Sequence, residues 1–169
     1  DLSERLIEHA RQVERDQPMS IRYLHDDVAS STEFPDGSFD LVTCNFGLSD
    51  IDDLEGALAN VARVLIPGGR FAFSILHPCF PGGEDVSGAW PAEARYYDEG
   101  RWNASGSASS LRRRVGAHHR TLSTYVNSLR ASGLMIETMQ EPEPDEEWAA
   151  RAPTAARFPL YLVVGCRRL

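Results

Sequence analysis

Lysine is absent from this chain: all 17 basic residues among its 169 are arginine. A Schiff base, a pyridoxal-phosphate anchor and the lysine of a phosphate-binding P-loop all require a primary amine, so these chemistries are excluded. Positive charge is also scarce relative to negative charge, because 25 acidic residues give a formal net charge of −8 at pH 7. That balance argues against general binding to nucleic acid or to anionic membranes.

Cysteines are few and long apolar runs are missing. Cys44, Cys79 and Cys166 are widely spaced and odd in number, so they imply no disulfide framework and favour a reducing cytoplasm. No run approaches the roughly 20 apolar residues of a membrane span, and we expect neither a span nor a signal peptide. Hydrophobic residues still make up 42% of the chain. The composition predicts a globular cytoplasmic protein with one domain.

The first half of the chain predicts helices alternating with strands. Ser3 and Asp52 or Asp53 are candidate N-caps, and apolar residues follow each at helical spacing. Such alternation implies right-handed crossovers and a mostly parallel α/β sheet. The predicted elements are a helix from Ser3 to Gln17, a strand from Ile21 to Leu24, a strand from Phe39 to Phe46, a helix from Leu54 to Leu65 that Pro67-Gly68-Gly69 stops, and a strand from Phe71 to Leu76.

The pattern breaks between residues 77 and 118, and then regular elements return. Loops of this length inside a domain are usually functional lids or disordered tails, and the aromatic residues here favour a lid or a partly ordered hairpin. The later predicted elements are a helix that carries Leu122, Tyr125, Val126 and Leu129 on one face and ends near Gly133, a strand from Leu134 to Gln140, an acidic, proline-containing segment over 141–153, and a strand from Phe158 to Cys166.

Three groups of residues stand where predicted strands end, which is where open α/β sheets bind ligands. Asp1 lies just before the first helix, and its carboxylate matches the two hydroxyls of a ribose. Asp27 and Val28 follow the first predicted strand, and Asn45-Phe46 ends the next one. Taken singly, Asp1 also suits a helix cap and Asp27 a turn residue.

Order and spacing make the pattern more specific. The runs Phe34-Pro35-Asp36-Gly37-Ser38-Phe39-Asp40 and Arg63-Val64-Leu65-Ile66-Pro67-Gly68-Gly69, read with the aspartates before them, resemble the class I S-adenosylmethionine-dependent methyltransferases, close to the ubiquinone/menaquinone-biosynthesis type. The resemblance covers nearly the whole chain. His77-Pro78-Cys79-Phe80 and the later His119-Arg120 are similar to a bacterial small-molecule branch of that family.

The resemblance implies a fold, a cofactor and its contacts. The fold is a Rossmann-like doubly wound sheet, mostly parallel with a last antiparallel strand, in one domain over 1–169 with a lid-like insertion at 77–118. The cofactor is S-adenosylmethionine. By the resemblance Asp1 would hold its ribose, Asp27 and Val28 its adenine, and Asn45 and Phe46 would border its methionine part.

One family feature is missing from the sequence. The first strand and its glycine-rich loop, of the form G-x-G-x-G, would precede Asp1, and Gly68-Gly69 and Gly82-Gly83 stand in the wrong context to replace it. We therefore expect this sequence to be the later part of a larger enzyme, incomplete at its N-terminus. Two strands, a helix and an extension would need about 40 to 70 further residues.

The acceptor side offers two candidate catalytic residues. His77 follows a predicted strand and His119 starts a later helix, so either imidazole can act as the base for the acceptor's proton. Capping and packing are the alternative roles for both histidines. The adjacent His118 matches the family motif less well than His119. Trp90, Tyr96, Tyr97 and Trp102 either wall an acceptor pocket or pack the lid. No metal site is expected, since C-x-x-C and H-x-x-x-H spacings are absent.

The predicted function is methyl transfer from S-adenosylmethionine to a small-molecule acceptor, without nucleic acid or a membrane span. One alternative is an NAD(P)-dependent Rossmann oxidoreductase, because an acidic residue after the second strand also binds ribose there. The other is a non-catalytic methyltransferase-like partner subunit, which the missing glycine loop favours. The acceptor molecule, the acceptor atom and the choice between monomer and homodimer are left open.

Overall fold

Helices and strands alternate in the computed structural model of the protein, which describes residues 1–80, 95–103, 114–151, 153 and 156–169. Ser3, Asp53 and Thr121 each cap a helix, since their side chains accept a hydrogen bond from the backbone N–H three residues later. The elements of the described residues are α1 (Glu4–Asp16), β1 (Phe39–Asn45), α2 (Leu54–Val64), β2 (Leu65–Leu76), β3 (Gly100–Trp102), β4 (Ala117–His119), α3 (Leu122–Ala131), β5 (Leu134–Gln140), α4 (Glu146–Arg151) and β6 (Tyr161–Arg168).

Four of these strands form the main sheet in the order β1-β2-β6-β5. The β1 and β2 strands pair in parallel through the α2 crossover, whereas β6 is antiparallel to both of its neighbours, β2 and β5. Three strands therefore run in one direction and only the last runs against them. This confirms the predicted mostly parallel α/β sheet with a last antiparallel strand.

The core lies between this sheet and the helices α2 and α3. Apolar residues on α2 repeat at helical spacing, and alternate residues of β2 and β6 point toward them, so one helical face meets one face of the sheet. The buried cluster includes Leu54, Leu58, Val61, Phe71, Phe73, Ile75, Tyr125, Leu129, Leu162 and Val164.

The β2 strand starts earlier than the sequence predicts. The expected start was Phe71, with Pro67-Gly68-Gly69 as a helix stop, but the helix ends at Val64 and the strand begins at Leu65. Phe39 pairs with Leu65 and Leu41 with Arg70, so residues 66–69 form an irregular excursion within the strand. Gly68 allows the excursion because its φ is +78°, in the region that favours glycine.

The strand predicted from Ile21 to Leu24 is wrong. This segment is not part of a sheet, and two of its carbonyls bond elsewhere: Arg11 donates to the Tyr23 carbonyl and the Asp1 backbone nitrogen donates to the Leu24 carbonyl. A strand requires a neighbouring strand for its ladder, and in the described ranges none pairs with residues 21–24. Among the described residues, the apolar pattern alone therefore does not make a strand.

The C-terminal predictions need two smaller corrections. The last strand begins at Tyr161 rather than Phe158 and continues to Arg168. The acidic, proline-containing segment over 141–153, for which no helix was predicted, contains α4, where the Asp145 carboxylate accepts from the Trp148 N–H. A six-residue helix with so many charges has too few apolar residues to show a helical period.

The insertion at 77–118 is described over 77–80, 95–103 and 114–118. Its strand β3 pairs with β4 in a two-stranded antiparallel sheet in which Gly100 lies opposite His119. The predicted role of Trp90 lies outside the described residues. Within the described part of the chain, no helix is long and apolar enough to cross a membrane.

Candidate active site

The carboxyl edge of the main sheet holds part of the predicted site, namely Asn45, Phe46 and His77. The parallel strands β1 and β2 end there at Asn45 and Leu76, and β5 ends there at Gln140. Because β6 runs the opposite way, its first residue, Tyr161, lies at the same edge. Loops that follow these ends can therefore act together on one ligand.

Asp1 and Val28 line one cavity of about 320 Å³. One Asp1 carboxylate oxygen accepts the Ser3 N–H at 2.7 Å, so Asp1 also serves the start of α1. A carboxylate oxygen has two lone pairs, and Asp1 therefore keeps capacity for ligand hydroxyls. The other lining residues are mostly apolar: Leu24, Asp26, Ser31, Phe34, Phe39, Leu41, Val42, Asn60, Val61 and Val64.

Asp27 is half-buried beside this cavity but does not line it. Its carboxylate accepts the Ala29 N–H at 3.0 Å, which is the local turn contact that a lone aspartate after a strand favours. Asp26 reaches the cavity instead, and its carboxylate accepts from the Ser31 hydroxyl. The structure thus brings Asp1, Asp26 and Val28 together and leaves Asp27 one position away.

Asn45 and Phe46 lie outside that cavity, at the end of β1. Ser74 on β2 fixes both residues: its hydroxyl donates to the Asn45 side chain, and its carbonyl accepts the Phe46 N–H at 3.0 Å. Phe46 has a φ of +55°, which is uncommon for a residue with a side chain. The Phe46 ring meets the Tyr161 ring edge-on at 5.2 Å.

His77 is buried, with 3% of its surface exposed, and both ring nitrogens have partners. The Cys79 N–H donates to Nδ1 at 3.2 Å, and Nε2 lies 2.8 Å from a Glu141 carboxylate oxygen. Since a backbone N–H can only donate, Nδ1 is an acceptor and Nε2 carries the proton that bonds Glu141. His77 therefore joins the end of β2 to the end of β5.

His119 is buried on the other side of the insertion. Its Nε2 donates to the Tyr96 carbonyl at 2.8 Å, and the two rings lie 5.9 Å apart. The Tyr96 hydroxyl accepts the Leu122 N–H at 2.9 Å, so Tyr96 holds His119 against the start of α3. His119 lines a small cavity of about 20 Å³ together with Leu76 and Pro78.

Glu99 secures the same helix start. It accepts the Thr121 N–H at 2.7 Å and the Thr124 hydroxyl at 2.6 Å. Burial by itself raises the pKa of Glu99, but the hydrogen bonds from Thr121 and Thr124 outweigh it and hold the pKa below the usual range. Glu99 is therefore ionised in the folded state at neutral pH.

Arg120 is a further buried side chain whose importance the sequence did not show. Its guanidinium donates to three backbone carbonyls in the loop after β1: Leu48 at 3.0 Å, Ile51 at 2.6 Å and Asp52 at 2.9 Å. His118 adds a bond from its N–H to the Ser49 carbonyl and one from Nε2 to the Asp52 carboxylate. The insertion thus holds the loop that follows Phe46.

Three more residues of the edge escaped the sequence reasoning: Glu141, Trp148 and Tyr161. Trp148 stacks on Tyr161 at 5.5 Å with 14° between the rings, and Tyr161 meets Phe46. An antiparallel last strand must start at the carboxyl edge, so the position of Tyr161 was predictable from the topology alone. No group of three or more metal-ligating side chains that could hold an ion occurs within the described residues.

Comparison with known proteins shows which family this chain resembles. The family described as "Methyltransferase domain" matches residues 1–73. Demethylmenaquinone methyltransferase from Deinococcus radiodurans is 36% identical over 97 residues, which are 57% of this chain and 37% of the relative. The enzyme of that name from Thermus thermophilus is 40% identical over 70 residues, 41% of this chain and 31% of the relative. The matched part spans about a third of the length of these curated relatives.

A solved structure extends the similarity along nearly the whole chain. The S-adenosylmethionine-dependent methyltransferase from Mesorhizobium loti is 31% identical, with a TM-score of 0.75 over 99% of this chain and 78% of that chain. The chain belongs to the class I S-adenosylmethionine-dependent methyltransferases. Membership confirms the predicted family, its Rossmann-like fold and S-adenosylmethionine as the cofactor of that family. In open α/β sheets of this kind, ligands bind at the carboxyl ends of the strands.

Proposed function

We propose that this protein transfers a methyl group from S-adenosylmethionine to a small-molecule acceptor. The observation that carries the proposal is the similarity, along 99% of this chain, to a solved methyltransferase structure with the same fold. The antiparallel β6 between β2 and β5 supports it over an NAD(P)-dependent oxidoreductase, for which the sequence reasoning expects no such strand.

The described residues fit the adenosine part of the cofactor. Asp1 offers a carboxylate to the ribose hydroxyls, and the exposed side chain of Val28 offers an apolar wall to the adenine in the same cavity. We assign Asp27 to the adenine as well, through the turn it shares with Val28. Asn45 and Phe46, held by Ser74, border the methionine part.

When bound, S-adenosylmethionine supplies a methyl group on a positively charged sulfur, which is already a good leaving group. The protein then has to orient the acceptor, exclude water and remove a proton. The aromatic rings of Phe46, Tyr161 and Trp148 form one row along the edge and exclude water there. No covalent nucleophile is needed for this reaction.

His77 and His119 are our proposed proton-handling residues on the acceptor side. Both lie next to the insertion, His77 at the end of β2 and His119 at the end of β4. His77 acts through Glu141, because its Nε2 carries the proton that bonds Glu141 and its Nδ1 accepts the Cys79 N–H. Loss of the base lowers turnover by about 10²–10⁴-fold while cofactor affinity barely changes. The measurement is turnover and cofactor affinity side by side for His77→Ala and His119→Ala.

We also propose where this protein acts and which class of acceptor it uses. All three cysteines are unpaired, in keeping with a cytoplasmic protein. The net charge of −8 supports a small acceptor rather than nucleic acid. Light scattering of the purified protein distinguishes a monomer from a homodimer.

Calorimetric titration of the full-length protein tests the function directly. We expect S-adenosylmethionine and its product S-adenosylhomocysteine to bind and NADH not to bind. Binding of NADH alone would favour the oxidoreductase, and binding of none of the three would favour the non-catalytic partner subunit. A screen of metabolites for methyl incorporation then identifies the acceptor.

A further inference from the structure

A second large cavity lies at the β5 end of the carboxyl edge. It has a volume of about 410 Å³ and is open to solvent between the segment after β5, the helix α4 and the segment before β6. Its lining combines carboxylates, one guanidinium and an aromatic ring. The lining residues are Glu141, Pro142, Glu143, Pro144, Ala149, Ala156, Arg157, Phe158 and Pro159.

Glu141 is the residue that connects this cavity to the sheet. Its side chain is 53% exposed, and one carboxylate oxygen is fixed 2.8 Å from Nε2 of His77, whose side chain is only 4% exposed. The Cys79 N–H on Nδ1 fixes the His77 tautomer, so His77 donates to Glu141 and has no acceptor atom left for a substrate proton. The exposed carboxylate can accept one.

Aromatic contacts join the same cavity to the predicted cofactor edge by two routes. Phe158 stacks on Phe80 at 5.4 Å, and Phe80 lies 5.0 Å from the His77 ring. On the other side, Trp148 belongs to α4, which lines the cavity through Ala149, and the row from Trp148 through Tyr161 reaches Phe46. A planar molecule in the cavity would meet the Phe158 ring, over which the Arg157 guanidinium lies at 5.4 Å, together with a fixed carboxylate.

We propose that this cavity receives the methyl acceptor, that the acceptor is a planar ring compound with an O–H or N–H group, and that Glu141 takes its proton. His77 is the positioning residue behind Glu141. This inference rests on the proposed methyltransferase function and names the acceptor side of the same edge. It assigns proton acceptance to a side chain that the histidine motif does not include.

The proposed step balances in atoms and charge. A lone pair on the acceptor's oxygen or nitrogen forms the new bond to the methyl carbon as the carbon–sulfur bond breaks, and that bond's electron pair stays on sulfur. The acceptor's proton moves to a Glu141 oxygen, which turns the carboxylate into a neutral carboxylic acid. His77 keeps its own proton throughout, since it only donates a hydrogen bond to Glu141.

A chromogenic phenol tests the assignment before the natural acceptor is known. The probe is 4-nitrocatechol, whose absorbance reports its own ionisation, titrated against pH in the presence of the whole protein, with and without S-adenosylhomocysteine. A carboxylate next to the bound phenol disfavours the phenolate, so we expect the bound probe's pKa to rise by about one unit or more. The variants are Glu141→Gln and, as a matched control from the same cavity, Glu143→Gln.

We expect Glu141→Gln to abolish the rise in the probe's pKa and Glu143→Gln to keep most of it. His77→Gln retains an N–H near the position of Nε2 and should rescue the rise, whereas His77→Ala should reduce it. Nitrogen-15 NMR of the ligand-free protein should show the His77 proton on Nε2. Turnover with any methylated acceptor should fall about 10²–10⁴-fold in Glu141→Gln.

Several results would overturn the inference. These are no binding of 4-nitrocatechol at millimolar concentration, an equal pKa rise in wild type and Glu141→Gln, or His77 protonated on Nδ1 alone. Each leaves the methyltransferase function standing when S-adenosylhomocysteine still binds. Loss of that binding in the wild-type protein would contradict the proposed function instead.

Discussion

The predicted cofactor side and the acceptor side of the sheet edge are held together in opposite ways. On the cofactor side the carboxylates bond close neighbours: Asp1 to Ser3, and Asp27 to Ala29. On the acceptor side the bonds are long-range, since His77 reaches Glu141 across 64 positions and Arg120 reaches Leu48 across 72. The comparison teaches that the two aspartate turns are shaped by their own sequence and the acceptor side by tertiary structure.

Removal of the Arg120 side chain should have the largest effect. Arg120→Ala leaves three carbonyls in the loop after β1 without their charged donor, and a hydrogen bond to a charged group contributes about 1.5–3 kcal/mol. We expect the free energy of unfolding in urea to fall by about 3 kcal/mol. The exposed Arg130 on α3 is the control, and Arg130→Ala should change stability by less than about 0.5 kcal/mol. Equal losses in the two variants would contradict the long-range role.

The cofactor side should respond in affinity rather than in stability. Asp1→Ala removes the carboxylate assigned to the ribose, whose charge-assisted bonds are worth about 1.5–3 kcal/mol each. We expect the affinity for S-adenosylmethionine to fall at least tenfold in calorimetry, while the lost bond to the Ser3 N–H lowers the free energy of unfolding by only about 1 kcal/mol. Unchanged affinity would remove Asp1 from the site.

Asp27→Ala should act in the same direction with a smaller effect. Its carboxylate bonds the Ala29 N–H beside Val28, so its loss loosens the adenine side while apolar contacts remain. We expect a loss of S-adenosylmethionine affinity below that of Asp1→Ala in the same titration. A larger loss than for Asp1→Ala would reverse the assignment of the two aspartates.

The smallest expected effect is the pH dependence that Glu99 contributes. Its pKa is lower in the folded state than the ordinary value of 4.5, so its stabilisation is present above that value and is lost as pH falls through the folded pKa. The unfolding free energy of wild type should therefore exceed that of Glu99→Gln near neutral pH, and the difference should shrink in acid. A difference that is constant from neutral to acidic pH would contradict this role.

The same contrast explains what the sequence could predict. Helix caps such as Ser3 and Asp53, the helical face of α2 and the bounds of β5 depend on neighbours in the chain, and the structure agrees with them. Ile21 to Leu24 failed because a strand depends on a partner elsewhere. Glu141 and Arg120 were not identified because nothing near them in the chain indicates His77 or the carbonyl of Leu48.

The contacts of Arg120 also decide whether a lysine can replace the arginine at this position. At exposed positions such as Arg22 and Arg151, a lysine would keep the positive charge that meets Glu33 or Glu147. At position 120 a single ammonium would have to replace two guanidinium nitrogens that face carbonyls spread over five residues. A lysine-containing version of this protein, made for amine labelling or crosslinking, should therefore accept lysine at the exposed sites and keep arginine at 120.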